Sequence, residues 1–124
     1  MRDAVVTDRI APPAGPFSPA VRHGGSVYVS GQVGRDPTTG TLVDGGVGPQ
    51  TAQLFRNLEA ILVAAGKSFE DVIKANVYLV DMGDSSAMNA VYASHFTAPY
   101  PARTTIAVAA LPLGAAVEIE VLAR

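Results

Sequence analysis

The sequence predicts one α+β domain, in which a mixed sheet of about six strands carries two helices on one face. Three observations support this prediction: two segments have apolar residues at helical spacing, several shorter segments alternate apolar with polar residues, and glycines and prolines separate them. Helices and strands with one apolar face must cover each other, which gives a layered α+β arrangement. A chain of 124 residues has the size of one domain, and we assign residues 1–124 to it.

The N-terminal part is predicted to be a proline-rich loop followed by a β-hairpin. Four prolines between residues 12 and 19 exclude a helix or a central strand there, because each fixes φ and lacks a backbone donor. Residues 20–23 and 26–33 flank Gly24-Gly25, a pair that suits a two-residue hairpin turn. Alternation in the second strand predicts one face made of Val27, Val29, Gly31 and Val33.

Two helices are predicted from apolar stripes. Pro49 is expected at the first position of the first helix, and Gly66 is expected to cap its C-terminus. Its stripe consists of Leu54, Leu58, Ile61, Leu62 and Ala65. Asp84 or Ser85 should cap the second helix, before Pro99 and Pro101 stop it. Its stripe consists of Met88, Val91, Tyr92, His95 and Phe96.

Three further strands follow the hairpin, for about five or six strands in all, and the predicted order is β-β-β-α-β-α-β-β. Residues 72–80 alternate, which should place Ile73, Ala75, Val77 and Leu79 on one face. Residues 103–109 and 117–122 form the last two strands. Sheet that the helices leave uncovered would have to face another subunit, as a hydrophobic content of 48% also suggests.

Composition excludes several classes of function. The net charge of −2 and the lack of a basic cluster argue against nucleic acid as a partner. Without cysteine, and with only two histidines, a metal site is not expected. No apolar run approaches the ~20 residues of a membrane span, and the N-terminus does not resemble a signal peptide. We therefore expect a cytoplasmic protein without a membrane partner.

Candidate site residues occur on the last two strands. Arg103 follows Pro101-Ala102 at the start of a strand, and its planar guanidinium could bind a carboxylate. A structural salt bridge is the alternative, and spacing alone favours it. Glu118 and Glu120 share one face of the last strand, either as acid/base groups or as a solvated edge.

Ordered motifs from about residue 15 to residue 122 resemble the RidA (YjgF-like) family. They are Gly15-Pro16-Phe17-Ser18-Pro19, Val29-Ser30-Gly31-Gln32-Val33, Asn89-Ala90-Val91-Tyr92, Pro99-Tyr100-Pro101-Ala102-Arg103-Thr104 and Val117-Glu118-Ile119-Glu120-Val121. The resemblance implies a chorismate-mutase-like homotrimer with a central sheet barrel and ligand clefts between subunits. It also implies hydrolysis of reactive enamines and imines, such as 2-aminoacrylate and 2-iminobutanoate, to 2-oxo acids and ammonia without a metal or organic cofactor.

The resemblance assigns roles to individual residues. Arg103 would bind the substrate carboxylate, and Glu118 would help to place the attacking water. Further substrate contacts would come from Phe17, Ser30, Gly31, Asn89 and Thr105.

Two residues depart from the family pattern, because Phe17 stands where Tyr is common and Thr105 where Cys is common. The alternative to deamination is therefore a trimeric protein that binds small 2-oxo acids or related metabolites without catalysis, or with a different specificity.

Overall fold

The computed structural model describes residues 1–124, and its elements follow the predicted order β-β-β-α-β-α-β-β. The strands are β1 (Asp3–Val5), β2 (Ala20–His23), β3 (Ser26–Gln32), β4 (Val72–Leu79), β5 (Ala102–Ala107) and β6 (Val117–Ala123). The helices are α1 (Val47–Ala64) and α2 (Ser85–Ala93). Neither is long and apolar enough to cross a membrane.

All six strands form one mixed sheet, in the order β1-β2-β3-β6-β4-β5. Neighbouring strands are antiparallel, except that β4 and β5 are parallel. A parallel pair needs a crossover connection, and α2 lies in that connection. Because β5 ends the order, its outer edge has no neighbour within the chain.

Both helices pack on the same face of the sheet, as predicted. Leu54 and Leu58 of α1 and Met88 of α2 are fully buried, in one cluster with Val77 of β4 and Ile119 of β6. No helix covers the opposite face, where Tyr28 of β3 and Ile106 of β5 are exposed. We call this uncovered side the open face.

The ends of the predicted elements agree with the structure in part. Gly24 turns the hairpin with φ 59°. The prediction that Pro49 starts the first helix was wrong by two residues, because α1 begins at Val47. Gly66 has φ 75° and donates to the carbonyl of Val63, while Lys67 donates to that of Leu62, so a Schellman motif ends the helix.

Two register shifts overturn predictions based on strict alternation. In β4 the shift lies between Val72 and Lys74, so that Val72 is buried while Ile73 is 49% exposed. In β3 the shift lies between Val29 and Gln32. Gly31 consequently lies against the side chain of Glu118 on the open face, rather than on the buried face of Val29. An inserted residue in one strand reverses the side to which the next residues point.

The predicted stripe of the second helix extends beyond its end at Ala93. His95 and Phe96 follow the helix and still pack against Phe55 of α1. The aromatic rings thus connect the two helices, although His95 and Phe96 lie on irregular backbone after α2.

Candidate functional site

The predicted site residues fall into two groups, on the two sides of the sheet. Arg103 pairs with Ala75, whose side chain is buried beneath the helices, so the Arg103 side chain leaves the sheet on the helical side. Glu118 pairs with Tyr78, which lies next to the buried Val77 on β4 and so points to the other side of the sheet. Glu118 therefore lies on the open face. A single chain does not bring the Arg103 and Glu118 side chains together on one face.

The first group surrounds a small cavity beside the edge strand β5. Its volume is about 260 Å³, and we call it the arginine cavity. The lining residues come from α2 and from the segment that leads into β5. They are Asn89, Tyr92, Ala93, Tyr100, Pro101 and Arg103.

The Arg103 guanidinium is held by two contacts with α2. Its Nη1 donates a hydrogen bond of 2.7 Å to Asn89 Oδ1, and its Cζ lies 4.7 Å from the centre of the Tyr92 ring. The amide and the ring are both uncharged, so neither neutralises the guanidinium. Because arginine has five N–H donors, four remain for a ligand, enough for a bidentate carboxylate.

Two buried hydroxyl groups near Arg103 have no hydrogen-bond partner. One is Thr105 Oγ1, on the same side of β5 as Arg103, and the other is the hydroxyl of Tyr92. Burial raises the pKa of Tyr92, while the charge of Arg103 opposes that shift. The neutral phenol is therefore the form of Tyr92 that faces the guanidinium.

The second group surrounds a larger groove between the proline-rich loop and strands β3 and β6. Its volume is about 440 Å³, and we call it the acidic groove. Four predicted site residues line it: Phe17, Ser30, Gly31 and Glu118. Ile10, Ala11, Pro112 and Leu113 add apolar walls.

Gly31 lets the Glu118 carboxyl lie directly on the backbone of β3. A Cβ at this position would lie 2.7 Å from Glu118 Oε2 and 2.8 Å from its Cδ. These distances are shorter than real Cβ contacts, so only glycine fits without moving Glu118. The β3 register shift, Gly31 and Glu118 thus form one local arrangement.

The two carboxylates of β6 have different surroundings. Tyr78 donates its hydroxyl hydrogen bond to Glu120, and Asn76 Nδ2 donates to Glu120 Oε1 at 3.3 Å. The bond to Glu120, together with burial, raises the pKa of Tyr78 to about 12. The pKa of Glu118 is raised by burial and by the nearby charge of Glu120. Glu118 is the carboxyl that can exchange a proton with a ligand in the groove.

Ser30 fixes the proline-rich loop that carries Phe17. Its Oγ donates to the carbonyl of Ser18 at 2.6 Å, and its backbone N–H donates to that of Pro19 at 2.9 Å. The Ser30 hydroxyl therefore positions the loop, and only its acceptor capacity remains for a ligand. The Phe17 ring is 53% exposed at the mouth of the groove.

Several lining residues were not among the predicted site residues, and three of them have distinctive contacts or backbone. Arg35 donates to the carbonyls of Gly40 and Pro12, which joins the turn after β3 to the proline-rich loop. Leu113 has a positive φ of 61°, rare for leucine, and lines the groove. Tyr92 was predicted only as part of a buried stripe, and its position three residues after Asn89 was the available signal.

No group of three or more His, Cys, Asp or Glu side chains lies close enough to hold a metal ion. The two groups of site residues instead offer a guanidinium, a carboxyl and apolar walls. Such groups can bind a small organic acid and transfer protons to it.

Comparison with known proteins identifies the relatives of this chain. The model of the family described as Endoribonuclease L-PSP matches residues 7–124. A RutC family protein of Pyrococcus horikoshii is 43% identical, over 99% of this chain and 98% of its own. The 2-iminobutanoate/2-iminopropanoate deaminase of Mus musculus is 44% identical, over 99% of this chain and 91% of its own.

A solved structure shows the same fold. The crystal structure of RidA from an Antarctic Psychrobacter species superposes with a TM-score of 0.94 and is 44% identical, over 98% of both chains. Since the family model and these relatives span nearly the whole chain, the protein belongs to the YjgF/RidA family.

Proposed function

We propose that the protein hydrolyses reactive enamines and imines of the 2-aminoacrylate and 2-iminobutanoate type. The products are 2-oxo acids and ammonia. Relatives that share 44% of their residues with this chain carry the name 2-iminobutanoate/2-iminopropanoate deaminase. The geometry of Arg103 is the observation that supports the proposal most directly.

Arg103 is the proposed carboxylate-binding residue. Its guanidinium faces a cavity and bonds to a neutral amide, so its positive charge remains available. A bidentate pair with the substrate carboxylate would fix the direction of the neighbouring C=N carbon. Arg103 would contribute mainly by orienting the substrate, because the imine carbon is already electrophilic and needs little further activation.

Glu118 is the proposed acid/base residue. A water molecule beside its carboxylate would lose a proton to it while the water oxygen bonds to the C=N carbon. Glu118 returns this proton to the nitrogen, which gives the tetrahedral intermediate. A second proton then passes from the new hydroxyl to the nitrogen by way of Glu118, the C–N bond breaks, and ammonia leaves as the C=O of the 2-oxo acid forms. A raised pKa suits this exchange, because the group can both accept and return the proton.

The separation of Arg103 from Glu118 supports a site between subunits. We propose a homotrimer of chorismate-mutase-like type, in which the open faces form a central barrel. The arginine cavity of one copy would then meet the acidic groove of its neighbour. We expect its ligand to be a small carboxylate, and we expect neither nucleic acid nor membrane as a partner. We expect the protein to act in the cytoplasm.

A coupled assay tests the deaminase proposal. Threonine dehydratase generates 2-iminobutanoate from threonine, and the formation of 2-oxobutanoate is followed with and without this protein. A hydrogen bond to a charged group contributes ~1.5–3 kcal/mol, so Arg103→Ala should lower kcat/KM by at least roughly 10- to 100-fold, the equivalent of one of the two bonds. Arg103→Lys is the matched control, since it keeps the charge without the planar fork.

Absence of acceleration over buffer would contradict the proposal, as would equal acceleration by wild type and Arg103→Ala. Absence of acceleration would in addition support the non-catalytic alternative. Phe17, which has no hydroxyl to hold a water molecule at the mouth of the groove, is the observation that favours it. Calorimetric binding of 2-oxobutanoate without imine turnover would identify such a binding protein.

A further inference from the structure

The ring of Tyr92 is a rigid surface beneath the Arg103 guanidinium. Only 5% of Tyr92 is exposed. Its ring packs against Phe96 with centroids 4.8 Å apart, and edge-on against Phe55 at 5.7 Å and 84°. The ring cannot turn away without opening the core, so its position is fixed by the interior of the domain.

A second contact fixes the remaining freedom of the guanidinium. The ring at 4.7 Å restricts the position of the guanidinium above α2, and the bond from Nη1 to Asn89 restricts its rotation. Asn89 and Tyr92 are three residues apart, so one helical turn supplies both contacts. An exposed arginine on an edge strand would otherwise sample many rotamers.

The aromatic ring, rather than the hydroxyl, makes this contact. The buried Tyr92 hydroxyl makes no hydrogen bond of normal geometry, although it lies near enough to the Arg103 guanidinium to oppose the rise in its pKa. The face of the ring, 4.7 Å from Cζ, is therefore the main contact. A cation above an aromatic ring is attracted by the electrons of the ring face. Phenylalanine should therefore replace Tyr92 in this role, whereas an aliphatic residue should not.

We propose that Tyr92 is a positioning residue for the carboxylate site, which acts by orienting Arg103 before the ligand binds. This inference rests on the proposed role of Arg103 in carboxylate binding. Orientation in advance removes part of the entropic cost that a flexible arginine would incur on binding. Tyr92 thereby affects affinity for the carboxylate through the position of Arg103.

Calorimetric titration with 2-oxobutanoate, together with the steady-state KM and kcat, tests the inference. Tyr92→Leu should raise both the Kd and the KM by about three- to tenfold with little change in kcat, because the contact acts on ligand binding. Tyr92→Phe should restore wild-type values. Phe69→Leu is the matched control, because Phe69 belongs to the same aromatic cluster but contacts Phe55 and Phe96 rather than Tyr92, and it should leave Kd unchanged.

A double-mutant cycle separates positioning from a general structural role. If Tyr92 acts through Arg103, then Tyr92→Leu should cause no further loss of affinity in the Arg103→Ala background. Asn89→Leu is a second variant, for use should Tyr92→Leu unfold, because Asn89 occupies a partly exposed helical position. It removes the other contact of Arg103 and should raise Kd by about two- to fivefold.

An unchanged Kd in folded Tyr92→Leu would overturn the inference, and so would an unchanged Kd in Asn89→Leu should Tyr92→Leu not fold. So would a loss of affinity that persists in the Arg103→Ala background, or one that Phe69→Leu reproduces. Wild-type binding of 2-oxobutanoate without imine turnover would instead overturn only the deaminase proposal, because the affinity measurements do not depend on turnover.

Discussion

Glu118 and Glu120 lie two residues apart on one face of β6, yet only Glu118 lines the acidic groove. Tyr78 and Asn76 occupy Glu120 with hydrogen bonds, whereas Glu118 lies on the backbone of Gly31 with a raised pKa. The alternation of β6 indicates that the two share a face, but it does not identify their partners on β4. The residue pattern therefore predicted that Glu118 and Glu120 lie together. The pairing of β6 with β4 shows that their surroundings differ.

The contact between Gly31 and Glu118 predicts a functional effect with little loss of stability. In Gly31→Ala the new methyl group would overlap the end of a flexible carboxylate, which can move aside. A displacement of about 1 Å at a reacting group can reduce the rate by about a hundredfold. We expect kcat in the coupled imine assay to fall by about that factor, with a Tm close to that of wild type.

Gly25→Ala is the control, because a Cβ there would meet no atom within 4 Å. It should leave both kcat and Tm unchanged. Wild-type kcat in Gly31→Ala would show that the position of Glu118 is not important for turnover.

At the scale of secondary structure, the helices were predicted more accurately than the faces of the strands. All five residues of the α1 stripe are buried, because an apolar pattern of four turns is redundant. A single inserted residue reverses a strand pattern, as happens at Ile73 and Gly31. Such an insertion depends on the partner strand, so alternation in one segment cannot reveal it.

The junction between the two helices should make the fold sensitive to mild acid. The His95 ring stacks on Phe55 with centroids 4.3 Å apart and planes 4° apart, and burial lowers the pKa of His95. Glu59 counteracts this shift and Arg56 adds to it. The unfolded chain takes up a proton at higher pH than the folded one, so stability should fall as the pH drops below about 6.5.

Thermal denaturation between pH 7.5 and pH 5.5 measures this effect. The Tm of wild type should fall further over this range than that of His95→Phe, which keeps a stacked ring without titrating. His23→Gln, at the exposed end of the hairpin, should behave like wild type. Equal slopes for wild type and His95→Phe would refute the role of His95.

At the scale of the whole molecule, the two halves of the candidate site lie on opposite sides of the sheet. The ordered motifs of the sequence predicted the residues and their family. They did not predict that Arg103 and Glu118 point to different faces, because this depends on how β5 and β6 each pair with β4. Residues that act together need not meet within one chain.

Mixing two impaired variants tests whether the site is shared between copies. Trimers of Arg103→Ala alone and of Glu118→Gln alone should each retain only a small residual activity. Suppose that each site takes Arg103 from one subunit and Glu118 from the next. Exchange of subunits between the two variants should then restore about a quarter of the wild-type sites. This is the fraction of sites in which both contributing subunits are intact at the required residue.

The measurement is imine hydrolysis after partial denaturation and refolding of a 1:1 mixture. Refolding each variant alone is the control. Sedimentation velocity should show the mass of a trimer throughout. Failure of the mixture to exceed the separate variants, while trimers form, would place both residues of a site in one subunit.

The edge strand β5, which carries Arg103, also matters when dilution separates the copies of the protein. As the last strand of the sheet, β5 has backbone donors and acceptors along an unpaired edge, and its six residues are exposed or only partly buried. Such an edge can recruit strands from misfolded or foreign chains and so promote aggregation. Burial of this edge between copies would protect the chain from aggregation, so the same contact would serve both turnover and the lifetime of the protein.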